Sequence, residues 1–349
     1  MIGALMKHVK IGERLIGEGH PVYVIAEIGY NFTTPQEAKA SIDAAVDCGV
    51  DAVKFQTFRA ETVASRHTDF PAEAGASNQF EEFKRYEISE DLHRELFAYA
   101  RDKKVVVFST PSYYDDVDLL ERLQVEVHKI GSDDLTNLPF IRYIAQKGKP
   151  VIFSTGMGTL AEVDEAVQTI RAAGNDQIVI LQCVSNYPIR DLRSVNLNVI
   201  RTFRRAFNVP VGFSDHTTTI SASLGAVALG ASVIERHFTL DKQLNVPDAF
   251  FSTNPAEMKS FVQAIRELEQ ALGTGVKRPA PSEENMRVET RKSVIARMDL
   301  SRGDVITKDK IIVKRPGTGV PPKLAHLIIG KRAKQAIKAD EVITWEKLE

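Results

Sequence analysis

Two histidines follow apolar runs in the second half of the chain. His216 ends the stretch VGFSDH, and His237 ends the stretch ASVIERH. Either residue alone would more simply be a hydrogen-bonded histidine at the end of a strand. Two imidazoles delivered by neighbouring strands could instead bind one divalent cation and leave most of its coordination shell to water and substrate. The pair therefore predicts an open site of the kind that Mn²⁺ or Mg²⁺ occupies.

Other polar side chains with chemical potential also stand where apolar runs end. They are Glu27, Lys54, Gln56, Thr110, Lys129, Ser132, Asp134, Ser154, Ser185, Asn186, Tyr187, Ser214 and Glu235, with Asp248 slightly beyond the last run. Two lysines among several hydroxyls predict a cradle for a phosphate or carboxylate. A Gly-rich phosphate loop is lacking, which favours a small phosphorylated metabolite over a nucleotide. Glu27 and Asp134 could transfer protons or bind hydroxyl groups, and Asp248 could bind a polyol.

Each of these residues has a simpler interpretation when it is taken singly. Ser154 could cap the next helix, Lys54 and Lys129 could extend to water, and Glu235 could pair with Arg236 or a nearby lysine. Burying so much polarity at one place is costly without a ligand. Convergence on one rim would therefore favour a site.

The elements that must position these residues follow a regular alternation. Eight apolar runs occupy residues 22–29, 51–58, 105–111, 126–132, 150–156, 177–184, 209–216 and 231–238. Amphipathic stretches predict helices between them, at 35–49, 89–103, 159–174 and 217–230, and a last helix at 255–272. This pattern predicts an α/β fold, a (β/α)8 TIM barrel over residues 1–274, with function at the carboxyl ends of the strands.

The composition changes after the predicted barrel. Residues 275–290 are polar and contain Gly and Pro, which is typical of a linker. Residues 291–349 are β-prone, and DLSRGDVITKDKI at 299–311 resembles AIKADEVITWEKL at 336–348. The repeat predicts a small compact β-rich domain with internal symmetry.

The overall composition excludes several classes of protein. Lys plus Arg number 45 and Asp plus Glu number 46 among 349 residues, so the net charge of −1 gives no reason to expect nucleic acid or an anionic membrane as partner. Only Cys48 and Cys183 are present, which argues against a disulfide framework or a structural zinc site. With no apolar run of membrane-spanning length and no apparent signal peptide, we expect a cytoplasmic protein.

Several motifs, in order, resemble the sialic acid synthase family. They are AEIGYN, KFQTF, FSTP, KIGS, STGM, SNYP, FSDH, ERHF and the C-terminal VKRPGTG, and the resemblance runs through nearly the whole chain. The small domain is similar to antifreeze-like (SAF) domains. The resemblance implies condensation of phosphoenolpyruvate with an N-acyl amino-hexose, such as N-acetylmannosamine or an analogue. The product would be a nine-carbon acid, and phosphate would be released.

The resemblance also implies roles for individual residues. Lys54, Thr110, Lys129, Ser132, Ser154, Ser185 and Ser214 would bind phosphoenolpyruvate, and His216 and His237 would bind the metal, Mn²⁺ first with Mg²⁺ and Co²⁺ as alternatives. The residues that would face the amino sugar are Glu27, Gln56, Asp134, Tyr187 and Asp248, and Asn186 would also bind substrate. Glu27, Lys54, Lys129 and His216 are the predicted catalytic residues. Arg315 would reach the sugar from the partner subunit of a domain-swapped homodimer.

The sequence departs from the family's usual pattern near the presumed sugar pocket. The departures are Phe32 within the Asn31–Thr34 run, Asp134 for Glu, Gln182 and Ala249 for His, and segment 65–83, which shows no clear sugar-binding Asn. The acceptor therefore stays open, with synthases of legionaminic acid, pseudaminic acid or a spore-coat or surface polysaccharide sugar as alternatives.

Two other classes of protein are also considered. A metal-dependent barrel hydrolase would normally carry more metal ligands on its first strand. A non-catalytic carbohydrate-binding protein would need neither the two lysines nor the two histidines.

Overall fold

The computed structural model describes residues 7–69 and 78–349, so residues 70–77 of segment 65–83 lie outside the described part. The chain forms two compact units, Met1–Gly273 and Thr274–Glu349. Unit 1 contains an eight-stranded sheet in the order β5-β4-β3-β10-β9-β8-β7-β6, with parallel ladders along it. Its strands are β3 (Tyr23–Gly29), β4 (Ala52–Thr57), β5 (Val106–Pro111), β6 (His128–Ile130), β7 (Val151–Ser154), β8 (Ile178–Cys183), β9 (Val211–Asp215) and β10 (Val233–His237). The sheet forms a nearly closed TIM-like barrel, which confirms the predicted fold class.

Helices alternate with these strands along the chain. They are α1 (Pro35–Asp47), α2 (Ala60–Val63), α3 (Gln79–Tyr86), α4 (Glu90–Asp102), α5 (Tyr114–Arg122), α6 (Leu138–Ala145), α7 (Leu160–Ala172), α8 (Asn198–Phe207), α9 (Ser221–Ala228) and α10 (Pro255–Leu272). Capping boxes begin α1, α7 and α10, because a Thr or Asn N-cap and a Glu three residues later satisfy each other's backbone N–H groups. None of the described helices is long and apolar enough to cross a membrane.

A short hairpin precedes the barrel and was not predicted. It consists of β1 (Val9–Ile11) and β2 (Arg14–Ile16), and Val9, Ile11 and Ile16 are buried in the same core as the barrel strands. Arg14 pairs with Asp51 just before β4. The hairpin therefore packs at the amino ends of the strands, opposite the rim where the site was predicted.

Unit 2 has a core of its own, built around Val294, Ile306, Ile337 and Ile343. It contains α11 (Glu284–Thr290) and an antiparallel pair, β11 (Ser293–Ala296) and β12 (Ile311–Lys314). Helix α11 lies within the segment that the sequence analysis treats as a linker.

The internal repeat of unit 2 is visible as repeated hydrogen bonds. Ser301 N–H donates to Asp304 and Lys338 N–H to Glu341, Lys310 Nζ donates to Val305 O and Lys347 Nζ to Val342 O, and Leu300 and Ile337 bond reciprocally. Gly303 and Asp340, at equivalent positions, both have positive φ. The two halves of the predicted repeat therefore take the same local fold.

Candidate active site

Strands β9 and β10 each present polar side chains on both of their faces. Their register places Glu235 beside Ser214 and Arg236 beside Asp215. Since side chains alternate along a strand, the two pairs point to opposite faces of the sheet. Ser214 Oγ donates to Glu235 Oε1 over 3.0 Å inside the barrel mouth, and Arg236 pairs with Asp215 on the helix side.

Four buried charges form an alternating network in the mouth. Lys54 Nζ lies 2.6 Å from Glu27 Oε2 and 3.9 Å from Glu235 Oε2, and Lys129 Nζ lies 3.4 Å from Glu235 Oε1. All four residues are at most 5% exposed. Buried charges are tolerated when they are paired, and here each lysine is paired with a carboxylate.

Two further predicted residues join this network. Lys54 Nζ donates to Thr110 Oγ1 over 2.9 Å, and Gln56 Nε2 donates to Glu27 Oε1 over 3.1 Å. The strand ends of β3, β4, β5, β6, β9 and β10 therefore contribute to one cluster, as the barrel fold requires.

The two carboxylates of the network have different proton affinities. Burial raises the pKa of Glu27 to about 7, although Lys54 works in the opposite direction. Burial also opposes ionisation of Glu235, but Lys129 and Lys54 outweigh it and hold the pKa of Glu235 below its ordinary value. Environments that separate two carboxyl groups in this way are typical of sites where one group transfers protons and the other stays charged.

A group of hydroxyls surrounds Gly156, just after β7. Gly156 N–H donates to Ser132 Oγ over 3.0 Å, and a Cβ placed on Gly156 would stand 2.2 Å from Ser185 Oγ and 2.8 Å from Ser132 Oγ. Ser154 Oγ and Ser185 Oγ are buried and have no hydrogen-bond partner in the described part of the chain. Buried hydroxyls normally have partners, so this cluster is suited to an anionic ligand.

Helix α7 does not use Ser154 as its cap. Its N-cap is Thr159, whose side chain accepts a hydrogen bond from Glu162 N–H. The simpler interpretation of Ser154 as a helix cap is therefore wrong.

The two predicted metal ligands lie side by side, with ring centroids 5.3 Å apart. His216 Nδ1 donates to Val184 O over 2.8 Å; burial opposes protonation of this ring, but its hydrogen bond with Cys183 outweighs burial and raises the pKa of His216. Burial, followed by the positive charges of His216, Lys54 and Lys129, holds the pKa of His237 well below its ordinary value, so this ring is neutral. Its Nδ1 is buried without a hydrogen-bond partner among the described residues.

These two imidazoles fit a divalent cation, because His237 Nδ1 has no hydrogen-bond partner among the described residues and His216 can bind a cation in place of its ring proton. Among the described residues, His, Cys, Asp and Glu side chains form no group of three or more that could hold a metal ion. The fit rests on the histidine pair.

Two residues predicted for the sugar side flank the histidines. The Tyr187 ring lies 4.2 Å from the His216 ring and 5.9 Å from the His237 ring. Asp248 Oδ2 lies 3.6 Å from His237 Nδ1, and burial raises the pKa of Asp248 to about 6 against the opposing effects of His216 and Lys54. An aromatic face and a carboxyl group beside the cation site are suited to a polyhydroxylated acceptor.

Three predicted residues are not joined to this cluster by a described contact. Asp134 accepts a hydrogen bond from Asn137 in its own loop, and burial raises its pKa to about 6. Asn186 is exposed and its backbone N–H donates to Val184 O. Arg315 is exposed in unit 2, and its assignment to the site stays a prediction.

Two inward residues, Glu235 and Cys183, were not among the predicted site residues. Glu235 pairs with both lysines, whereas the sequence analysis also considered a pair with Arg236. Cys183 contacts His216 and Ser132; burial opposes its ionisation, but these hydrogen bonds outweigh it and lower the thiol pKa. The period-two alternation of the strands was the signal that could have identified both.

One departure from the family pattern lies away from the presumed sugar pocket. Gln182 Nε2 donates to Val195 O, on the face of β8 opposite Cys183. The expectation that every departure adjoins the sugar is therefore wrong for Gln182, because neighbouring residues of a strand point to opposite faces.

Comparison with known proteins decides which family this arrangement represents. The NeuB family model matches residues 41–277, and the SAF domain model matches residues 291–349. The chain belongs to the NeuB family. As a member of it, the protein is a phosphoenolpyruvate-dependent C–C bond-forming transferase, and the hydrolase and non-catalytic alternatives are set aside.

Relatives of this NeuB-family enzyme have different named products. It is 40% identical to an N,N'-diacetyllegionaminic acid synthase of Legionella pneumophila, over 95% of this chain and 96% of that one. It is 35% identical to the human N-acetylneuraminate-9-phosphate synthase, over 95% and 94%. The crystal structure of an N-acetylneuraminic acid synthetase from Leptospira borgpetersenii in complex with citrate superposes with a TM-score of 0.74 at 29% identity, covering 81% of this chain and 96% of that one.

Proposed function

We propose that this NeuB-family enzyme condenses phosphoenolpyruvate with the open-chain form of an N-acyl amino-hexose, giving a nine-carbon acid and inorganic phosphate. One observation carries the proposal. The lysine and serine donors of an anion site share the barrel mouth with two adjacent imidazoles. Cys183 contacts a member of each group, Ser132 and His216.

Phosphoenolpyruvate would bind to the lysines and to the hydroxyls around Gly156. Lys54 and Lys129 are held in place by Glu27 and Glu235, so their charges are positioned before the substrate arrives. The hydroxyls of Ser154 and Ser185, which have no hydrogen-bond partner among the described residues, can donate to phosphate oxygens. Preorganised donors of this kind stabilise the phosphate as it leaves.

The divalent cation, Mn²⁺ first with Mg²⁺ and Co²⁺ as alternatives, would be held by His216 and His237. When bound there, it supplies a Lewis acid that polarises the aldehyde oxygen of the acceptor. Tyr187 and Asp248 adjoin the histidines and would orient the acceptor hydroxyls.

The reaction forms a bond between C3 of phosphoenolpyruvate and the aldehyde carbon, and the acceptor oxygen takes up a proton. Positive charge develops at C2, where water adds. Glu27, with a pKa of about 7, is suited to take the proton of this water. The C2–O bond to phosphate then breaks, and the keto group forms as the remaining hydroxyl proton leaves with the phosphate. The proton that Glu27 takes from the water balances the one that the acceptor oxygen gains. Holding the two reactants side by side supplies much of the acceleration.

The proposed acceptor is one of two kinds of N-acyl amino-hexose. N-acetylmannosamine is the first candidate, and the acceptor of N,N'-diacetyllegionaminic acid synthases is the second. Sequence identity favours the second candidate. This chain is 40% identical to the Legionella enzyme and 35% identical to the human one, each over 95% of its length.

A domain-swapped homodimer that brings Arg315 to the partner's sugar site belongs to the same proposal. Its support is a run of exposed apolar side chains at Val276, Met286 and Val288, which are 69%, 54% and 53% exposed. Exposed apolar residues concentrated in one segment commonly mark an interface. Sedimentation velocity of the full chain measures the oligomeric state.

Product analysis tests the proposed reaction directly. The enzyme is incubated with phosphoenolpyruvate and each of several N-acyl amino-hexoses, with and without Mn²⁺, and products are identified by mass spectrometry. We expect a nine-carbon acid from at least one acceptor, with stoichiometric phosphate. Phosphate release without an acceptor-derived product would contradict the proposal.

A further inference from the structure

An ion pair lies on the helix side of the sheet, behind the two histidines. Asp215 and Arg236 are 2% and 5% exposed, and Arg236 Nη1 lies 2.6 Å from Asp215 Oδ2. Ser223 of α9 donates to the same carboxylate, and the Arg236 guanidinium stands 5.4 Å from the centre of the Phe261 ring of α10. The pair is therefore enclosed between the strands and these helices, on the face of the sheet opposite the barrel mouth.

The guanidinium binds the backbone segment that follows His216. Arg236 Nη2 donates to Thr217 O over 2.9 Å and Nη1 donates to Thr219 O over 2.9 Å. Asp215 Oδ1 accepts from Thr217 N–H over 2.8 Å. Both backbone groups of Thr217 are thus held by the ion pair, and the chain leaving His216 has little freedom.

The same guanidinium also fixes the other histidine. Arg236 immediately precedes His237, and its Nε donates to Thr253 Oγ1 over 3.2 Å. Thr253 N–H in turn donates to His237 O over 2.8 Å. One side chain therefore connects β9, β10 and the segment before α10, and these three segments set the separation of the two imidazoles.

We infer that the Asp215–Arg236 pair is a positioning element for the proposed metal site, which fixes His216 and His237 at the spacing that one cation needs. This inference rests on the proposed function. A planar guanidinium is suited to the task because it donates in several fixed directions, which a lysine ammonium at the same place cannot reproduce. Partners that orient metal ligands without touching the metal commonly contribute about 10–100-fold to metal affinity.

The test is the Mn²⁺ dissociation constant of the full chain, measured from the electron paramagnetic resonance signal of free Mn²⁺. We expect Asp215→Asn and Arg236→Lys to weaken Mn²⁺ binding about tenfold or more. The control is Asp51→Asn, which breaks the pairing of a buried aspartate with two partly exposed arginines, Arg14 and Arg266, at the opposite end of the barrel. It should leave the constant within about twofold.

A second variant covers the case in which a single substitution leaves a buried charge unpaired and the protein fails to fold. The double variant Asp215→Leu/Arg236→Met removes both charges together, and circular dichroism confirms that it is folded. It should still bind Mn²⁺ about tenfold more weakly.

Folded variants with the wild-type Mn²⁺ constant would overturn the inference, and so would equal weakening by Asp51→Asn. A wild-type enzyme that binds no Mn²⁺ would overturn the proposed metal site itself, and this result is seen before any variant is made.

Discussion

The two ends of the barrel both bury charged side chains, but they use different cations. At the amino ends of the strands, Asp51 accepts from Val24 N–H over 2.8 Å and pairs with two guanidiniums, Arg14 of the hairpin and Arg266 of α10. At the carboxyl ends, Lys54 and Lys129 pair with Glu27 and Glu235.

The difference lies in what the charges are free to bind. The Asp51 cluster ties the hairpin, the sheet and the last helix together through a carboxylate whose two oxygens are both engaged. In the mouth, buried hydroxyls of Ser154 and Ser185 have no partner in the described part of the chain, and His237 has a free ring nitrogen. The unpartnered groups of the mouth are suited to a ligand because they lie together beside the two lysines, whereas Tyr23 Oη and His128 Nδ1, also without a partner among the described residues, lie at the amino ends of the strands.

The largest effect should come from removing a metal ligand. His216→Ala should lower metal-dependent turnover by about a thousandfold, because Lewis-acid activation lowers the activation free energy by several kcal/mol. Turnover with saturating Mn²⁺ and circular dichroism of the variant are the measurements. A folded variant with wild-type turnover would contradict the proposed role of His216 as a metal ligand.

The next largest effect should come from filling the space among the hydroxyls around Gly156. Gly156→Ala places a methyl group 2.2 Å from Ser185 Oγ and 2.8 Å from Ser132 Oγ, in the space where a phosphate would lie. A displacement of this size should raise the KM for phosphoenolpyruvate about a hundredfold. The KM for the acceptor should change much less. Equal changes in both constants would indicate a general distortion of the mouth.

A smaller effect is expected from pH. Burial raises the pKa of Glu27 to about 7, so the carboxylate needed as a base predominates above that pH and is lost as pH falls below it. With saturating Mn²⁺, kcat/KM should rise through about pH 7 and be about tenfold below its plateau at about pH 6. Glu27→Gln should show a low activity without this rise. A wild-type profile that is flat between about pH 6 and 8 would exclude Glu27 as the base.

The smallest effect on catalysis is expected at the other end of the barrel. Asp51→Asn removes the charge that pairs with the partly exposed Arg14 and Arg266, and should lower the free energy of unfolding by about 1–2 kcal/mol. Its kcat/KM should stay within about twofold of wild type below the melting temperature. Urea denaturation and steady-state kinetics measure the two quantities, and a stable but inactive variant would break the contrast between the two ends.

Much of the barrel was predictable because its signal is local. The predicted strand at 22–29 is β3 at 23–29, the predicted strand at 231–238 is β10 at 233–237, and the predicted last helix at 255–272 is α10 without change. The hairpin at residues 9–16 was missed, since a strand of three residues carries too few positions for an alternation to be recognised.

The site was predictable by residue type more than by partner. His216, His237, Lys54 and Lys129 lie in one mouth, as barrel topology requires. The partner of Glu235 depends on which face of the strand it occupies, and two lysines from distant segments compete for it. Such pairings depend on side-chain geometry across the barrel, which cannot be read from the amino-acid sequence.

The central claim is that one mouth holds a cation and an enol phosphate side by side. Anomalous diffraction at the manganese edge, from crystals of the enzyme with Mn²⁺ and phosphoenolpyruvate, tests it most directly. The account predicts an anomalous peak within bonding distance of both His216 and His237, with the phosphate against Gly156, Ser154 and Ser185. A manganese peak elsewhere, or a phosphate bound away from Lys54 and Lys129, would contradict it.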